Sequence, residues 1–254
     1  MIRVLIVSPQ GAVNRGVSVC RWANVSAATA APRNNVERYR SRLGPRRIMG
    51  QDVVMSGRTY GGLSSEQRSQ GRRARLVEAA RALIAESGVA PLTVDVVAQR
   101  ANLSKRYFYT EFATKDDLLD ACAEELFGRL YAQMEEVLAA APLAERVART
   151  VRVVVHTLAS DPADARLYME CPAYPRLRER QQRAVRDFSE YMAVRAIAFS
   201  GDPRPGVDRV LATRALVAGT TELIIGWLHG DIDTDEDSIV ATLTATSLGA
   251  AAAL

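Results

Sequence analysis

The 254-residue sequence predicts an all-α fold, with a three-helix N-terminal unit ahead of a larger helical domain. Three observations carry this. Apolar residues recur with the 3.6-residue period from Gln67 onward, alanine is abundant, and no stretch shows the period-2 alternation of a strand. Hydrophobic residues make up 48% of the chain and charged residues 24%, which suffices for a buried core and excludes wholesale disorder.

The elements follow in order. Leu76, Ala80, Leu83 and Ile84 share one helical face, so residues 67–87 read as an amphipathic helix that stops at Gly88 and Pro91. Thr93 caps a short helix over 94–100, and Asn102 suits a left-handed turn. Ser104 caps a third helix over 105–112. Thr114, with Asp116 and Asp117 behind it, starts a long fourth helix striped by Leu118, Leu119, Cys122, Leu126, Leu130 and Met134. Val147, Val151, Val154, Val155 and Leu158 mark a fifth, which ends at Asp161-Pro162. A short helix over 163–170 stops at Cys171-Pro172, and Pro175 opens an Arg-rich helix to Phe199. After a Gly/Pro-rich loop at 200–206, apolar helices over 206–229 and 235–252 close the chain.

Residues 1–63 read differently, as an arm that does not pack or as an extension from a start codon placed too far upstream. Met49 and Met55 are later starts, and the Arg- and Ser-rich, acid-poor opening also has transit-peptide character. Charge is unevenly placed. Residues 1–54 carry nine arginines and two acids, residues 55–112 nine basic and five acidic groups, and residues 113–254 fifteen basic and twenty-two acidic groups. A polyanionic partner therefore meets the first half, unless that excess is only a solvated face. Three widely spaced cysteines, Cys20, Cys122 and Cys171, form neither a disulfide framework nor a metal pair and fit a reducing cytoplasm. No apolar run approaches the ~20 residues that span a bilayer, so no membrane partner is expected.

Residues 93–112, TVDVVAQRANLSKRYFYTEF, place two short helices about a tight turn, a helix-turn-helix whose second helix is sized for a DNA major groove. Val94, Val97, Ala98, Leu103, Phe108 and Phe112 fall where the unit packs on the preceding helix. Lys105, Arg106, Tyr107 and Tyr109 remain outward, as cationic and hydroxyl donors for phosphates and base edges. An ordinary helical hairpin with a wet polar face gives the same pattern, and the pattern alone leaves both readings open.

The local sequence is more specific. Residues 72–119 resemble the N-terminal domain of TetR-family transcriptional regulators, through Ala101, Asn102, Leu103, Ser104, then Phe108, Tyr109, Phe112 and Lys115-Asp116. Asn102 stands where that family usually has glycine, and Phe108 where it usually has leucine. The resemblance implies roles for DNA binding: Thr93 and Lys115 on phosphates, Tyr109 on the backbone, and Lys105, Arg106 and Tyr107 toward base edges, with Ser104 at the helix start. Arg72 and Arg73 are either further phosphate contacts or solvated arginines.

The same resemblance implies domain bounds of 64–113 for DNA binding and 114–254 for effector binding and dimerisation. The expected partners are a palindromic DNA operator, a second copy of the chain, and a small hydrophobic effector. Candidate ligand-binding residues are His156, Tyr168, Met169, Tyr174, Phe188, Tyr191, Met192, Glu222 and Trp227, each of which could equally serve the core, with His156 reading as a satisfied core histidine. The sequence holds no HExxH, no phosphate loop, no GxGxxG and no GxSxG. It gives no sign of a catalytic residue, a metal site or a cofactor. The expected function is therefore a cytoplasmic, non-enzymatic DNA-binding repressor released by its ligand. A helical small-molecule-binding or catalytic domain with a vestigial helix-turn-helix is the alternative, and a nonspecific architectural DNA binder a further one.

Overall fold

Ser64 begins the first described helix with a reciprocal cap. Its hydroxyl accepts from Gln67 N at 3.1 Å, and the Gln67 side chain accepts from Ser64 N at 2.8 Å. The computed structural model describes residues 64–195 and 206–253, and the expectations for residues 1–63 lie outside that range. The helices are α1 (Ser65–Ser87), α2 (Val94–Arg100), α3 (Lys105–Glu111), α4 (Lys115–Ala140), α5 (Arg146–Ser160), α6 (Pro162–Glu170), α7 (Pro175–Arg195), α8 (Arg209–His229) and α9 (Glu236–Ala253). Short 3₁₀ turns at Leu143–Glu145 and Cys171–Ala173 lead into α5 and α7. Among the described residues there is no strand, as the sequence predicts.

The core runs continuously from Leu76 and Ile84 on α1, through Phe108 on α3 and Leu118 and Leu126 on α4, to Ile224 on α8 and Leu243 on α9. α1 packs on α2, α3, α4 and α6, so it joins the helix-turn-helix to the helices that follow. Polar contacts reinforce that junction. Asp164, on α6, is buried, and its carboxylate accepts from Arg81 of α1 and Arg129 of α4, each at 2.5 Å. Arg81 also reaches Asp161 at 2.6 Å. A carboxylate this deep is stable only with such partners. At the other end of α6, Glu170 accepts from Val89 N at 2.9 Å, just past the end of α1.

Three expectations change. The first helix starts at Ser65 rather than Gln67, because the Ser64–Gln67 cap lies one turn upstream of the apolar stripe. Ser104 occupies the N-cap of α3 with an extended backbone, but its side chain makes no cap hydrogen bond. Helix α8 is long and apolar enough to cross a bilayer by length and composition, although Arg214 and Glu222 interrupt its apolar runs. Only 11% of its most apolar stretch is buried among the described residues, and Leu211 is 61% exposed.

Candidate nucleic-acid interface

The helix-turn-helix is held by contacts its sequence encodes. Thr93 Oγ1 accepts from Val96 N at 3.3 Å, which caps α2. Asn102 takes φ 51°, the left-handed turn that asparagine tolerates. Arg75, on α1, donates to the Ala101 and Asn102 carbonyls and so ties the end of α2 to α1. Val97, Ala98, Phe108 and Phe112 are buried, which fixes the rotation of α3 about its axis. This burial leaves Lys105, Arg106, Tyr107 and Tyr109 off the packed face, and all four are exposed.

The outward groups do not stand alike. Lys105 Nζ lies 2.5 Å from Asp95 Oδ1, across from the first turn of α2. Tyr109 is 58% exposed, with its ring edge-on to Phe108 at 5.5 Å. The Tyr107 ring lies under the Arg72 guanidinium, 5.2 Å from centroid to carbon. Ser104 and Thr93 are exposed beside them. Lys115 is half-buried at the start of α4, where Thr114 and Asp117 cap each other reciprocally. Thr93, Ser104 and Lys115 each sit at or next to a helix start, where backbone N–H groups and the helix dipole favour an anion.

Arg72 and Arg73 both have partners within the chain. Arg72 pairs with Glu111 at 2.8 Å, and Arg73 stacks on the Phe112 ring at 4.3 Å. The sequence pattern missed both, as well as the Asp95–Lys105 pair. Partners 10 to 39 residues apart leave no periodic trace.

The candidate ligand residues do not converge in the same way. His156 is 69% exposed at its side chain and pairs with Glu236 at 3.1 Å on α9, so it is not a core histidine. Glu222 is exposed on α8. Tyr168 is buried, and its hydroxyl donates to Thr221 Oγ1 at 3.4 Å; burial pushes it up to about 12. Met169 and Tyr174 are half-buried near it, while Phe188, Tyr191 and Met192 gather with Leu138 at the α4–α7 seam. Trp227 donates to the Thr234 carbonyl at 2.8 Å, which fixes the turn between α8 and α9. An open depression of about 510 Å³ lies elsewhere, between α1 and α2, lined by Arg75, Glu78, Arg100 and small residues.

Residues 76–122 match the sequence profile of the tetR family of bacterial regulatory proteins. This stretch resembles the DNA-binding domain of that family. The matched stretch runs from the middle of α1 into α4 and contains every outward residue of α3. Among curated proteins, none matches the chain by sequence. Solved structures similar to this chain include the fatty acid degradation regulator FadR from Bacillus halodurans, at 20% identity and TM-score 0.59, over 70% of this chain and 94% of that one. SmeT, the repressor of the Stenotrophomonas maltophilia multidrug efflux pump SmeDEF, is 23% identical at TM-score 0.58, over 72% and 91%. The multidrug binding protein EbrR, complexed with imidazole, is 26% identical at TM-score 0.51, over 68% and 93%. Beyond residues 76–122, the described residues share the helical fold of these structures.

Proposed function

We propose that the chain is a homodimeric repressor that leaves a palindromic operator when a small hydrophobic ligand binds its C-terminal domain. The observation that carries the DNA half of this reading is the split of α3: Phe108 is fully buried, while Lys105, Arg106, Tyr107 and Tyr109 are exposed together. Residues 64–113 form the DNA-binding part and residues 114–254 the effector and dimerisation part. In a complex, Lys105, Arg106 and Tyr107 meet base edges, while Thr93, Ser104, Tyr109 and Lys115 meet the phosphate backbone.

Dimerisation is supported by α8 and α9. Val210, Leu211, Leu223 and Leu248 are large apolar residues left exposed on these two helices. Pairing α8 and α9 with their copies would bury them in a four-helix interface and present two recognition helices to two half-sites. The proposed ligand site lies among α4, α6 and α7, where Tyr168, Met169, Tyr174, Phe188, Tyr191 and Met192 offer an aromatic and thioether lining. A neighbour that binds multiple drugs and another that represses an efflux pump support a hydrophobic effector and a repressor role. The ligand must favour a conformer whose recognition helices no longer match the half-site spacing, since equal affinity for both conformers shifts nothing.

Footprinting of the gene's own upstream DNA, with and without hydrophobic cationic dyes, tests the reading. A protected palindrome that is lost on dye addition is expected. Protection without a preferred sequence would instead indicate an architectural DNA binder.

A further inference from the structure

Glu111 ends the recognition helix, yet its side chain is only 5% exposed. A carboxylate at that depth needs donors. Ser69 Oγ donates to Oε2 at 2.6 Å, Arg72 Nε donates to Oε1 at 2.8 Å, and Arg72 Nη2 lies 2.8 Å from that same oxygen. Both carboxylate oxygens are thus engaged, and the directed Nε–H bond with its ion pair restrains the guanidinium. That guanidinium lies against the Tyr107 ring, 5.2 Å from its centroid. On the other side, Arg73 covers the Phe112 ring at 4.3 Å and donates to the Glu111 carbonyl at 3.4 Å. The first turns of α1 therefore grip the last turn of α3. Tyr107 itself remains 47% exposed on the outward face.

We propose that Arg72, oriented by Glu111, is a positioning residue for Tyr107, and that this stack sets which base the Tyr107 hydroxyl selects. The proposal rests on α3 being the helix that meets base edges. A cation over the ring favours one rotamer of an otherwise mobile phenol. A hydroxyl held in place discriminates between donor and acceptor patterns in the groove better than one that samples several positions. Glu111 neutralises Arg72, so the pair adds no net charge to the surface. Its role in selectivity is therefore separable from phosphate attraction, which depends on net cationic charge and on salt.

The test uses the full chain and a randomised duplex library. The enriched sequence and a scrambled duplex are then titrated over a range of salt. Wild type enriches one motif. Tyr107→Phe relaxes the preference at one base pair by roughly tenfold. Arg72→Lys keeps the charge but loses the Nε–H bond and the planar guanidinium over the ring, and it relaxes the same base pair to a similar degree. Its affinity for the scrambled duplex and its salt slope stay at the wild-type value. Glu111→Gln leaves the guanidinium unanchored and relaxes the same base pair, while the positive charge it uncovers tightens every duplex and steepens the salt slope; combining either with Tyr107→Phe adds nothing at that base pair. Helix content by circular dichroism confirms that each variant is folded.

If Arg72→Lys and Glu111→Gln weaken all sequences alike with the preference intact, they brace the domain only and the proposal falls. Relaxation at a base pair other than the one sensed by Tyr107 overturns it too. A wild-type chain that enriches no motif overturns the base-reading role of α3 itself, and the proposal with it.

Discussion

Lys105 Nζ sits 2.5 Å from Asp95 Oδ1, so one cation of the recognition helix is already engaged by its own protein. Both side chains are 62% exposed, and an exposed pair of this kind is worth at most about 1 kcal/mol. Asp95 competes with DNA for Lys105 and places a negative charge next to Thr93, at the start of α2. Asp95→Asn is expected to tighten binding to every duplex by about two- to fivefold. It should also steepen the salt dependence by up to about one unit of log–log slope. Fluorescence anisotropy at several salt concentrations reads both quantities. In a Lys105→Ala background the gain should shrink, because the freed partner is gone. Weaker binding by Asp95→Asn would mean that the pair orients Lys105 rather than occupying it.

Gly88 ends α1 at φ 81° and ψ −173°, a region that only glycine occupies without strain. A Cβ there would stand 2.5 Å from Glu170 Oε1, the residue whose other oxygen accepts from Val89 N. Gly88→Ala therefore meets two penalties, one conformational and one steric. The conformational part alone is about 1–3 kcal/mol, and a lower urea midpoint with unchanged slope is the expected result. Adding Glu170→Ala removes the steric part but frees the Val89 N–H, so the double variant should be less destabilised than the sum of the two single changes. Strict additivity would show that the two residues do not meet.

The helix order was legible because it is written locally. Thr93 and Thr114 each cap a helix within three residues, and Gly88 and Gly230 end one with positive φ. The outward face of α3 was legible for the same reason, since burying Phe108 settles where its neighbours point. Contacts between distant residues were not. Nothing in the local pattern marks Asp164, in the first turn of a short helix, as a core residue, yet Arg81 and Arg129 hold it there from 83 and 35 residues away. His156 follows a valine run and reads as buried, yet it lies on the rim of α5 facing Glu236. Periodicity gives the face of a helix, but not which side chain crosses to a neighbour at its edge.

Asp120, on α4, accepts from Arg180 of α7 through both carboxylate oxygens, at 2.5 and 2.6 Å. The Arg180 hydrogen bonds hold its carboxyl below the usual carboxylate range, against the opposing effect of partial burial. A depressed folded-state value stabilises the protein at pH above the unfolded value, near 4, and that stabilisation fades as pH falls through the lower folded value. Asp120→Asn should therefore cost about 1 kcal/mol at pH 7, after allowance for the solvent that reaches the pair. The cost should shrink as pH falls below the unfolded value and through the lower folded one. Urea midpoints of both proteins across this pH range give the comparison. A cost that persists undiminished in acid would assign the effect to packing rather than to charge.

Cys122 lies within α4 and Cys171 at the turn from α6 to α7, and neither side chain reaches solvent. Burial pushes both thiols up to about 12, with Glu125 adding to the effect at Cys122 and Glu170 at Cys171. At pH 8 only about one in ten thousand of either would be thiolate, the form that reacts. Iodoacetamide in native buffer should therefore leave both peptides unmodified by mass spectrometry, and denaturant should expose both. Cys171 sits where α6, clamped to Arg81 and Val89, hands over to α7. Loosening that clamp by Asp164→Asn should speed labelling at both sites, since Arg81 also stands near Cys122. No acceleration at either would mean that the clamp does not hold this part of the core closed.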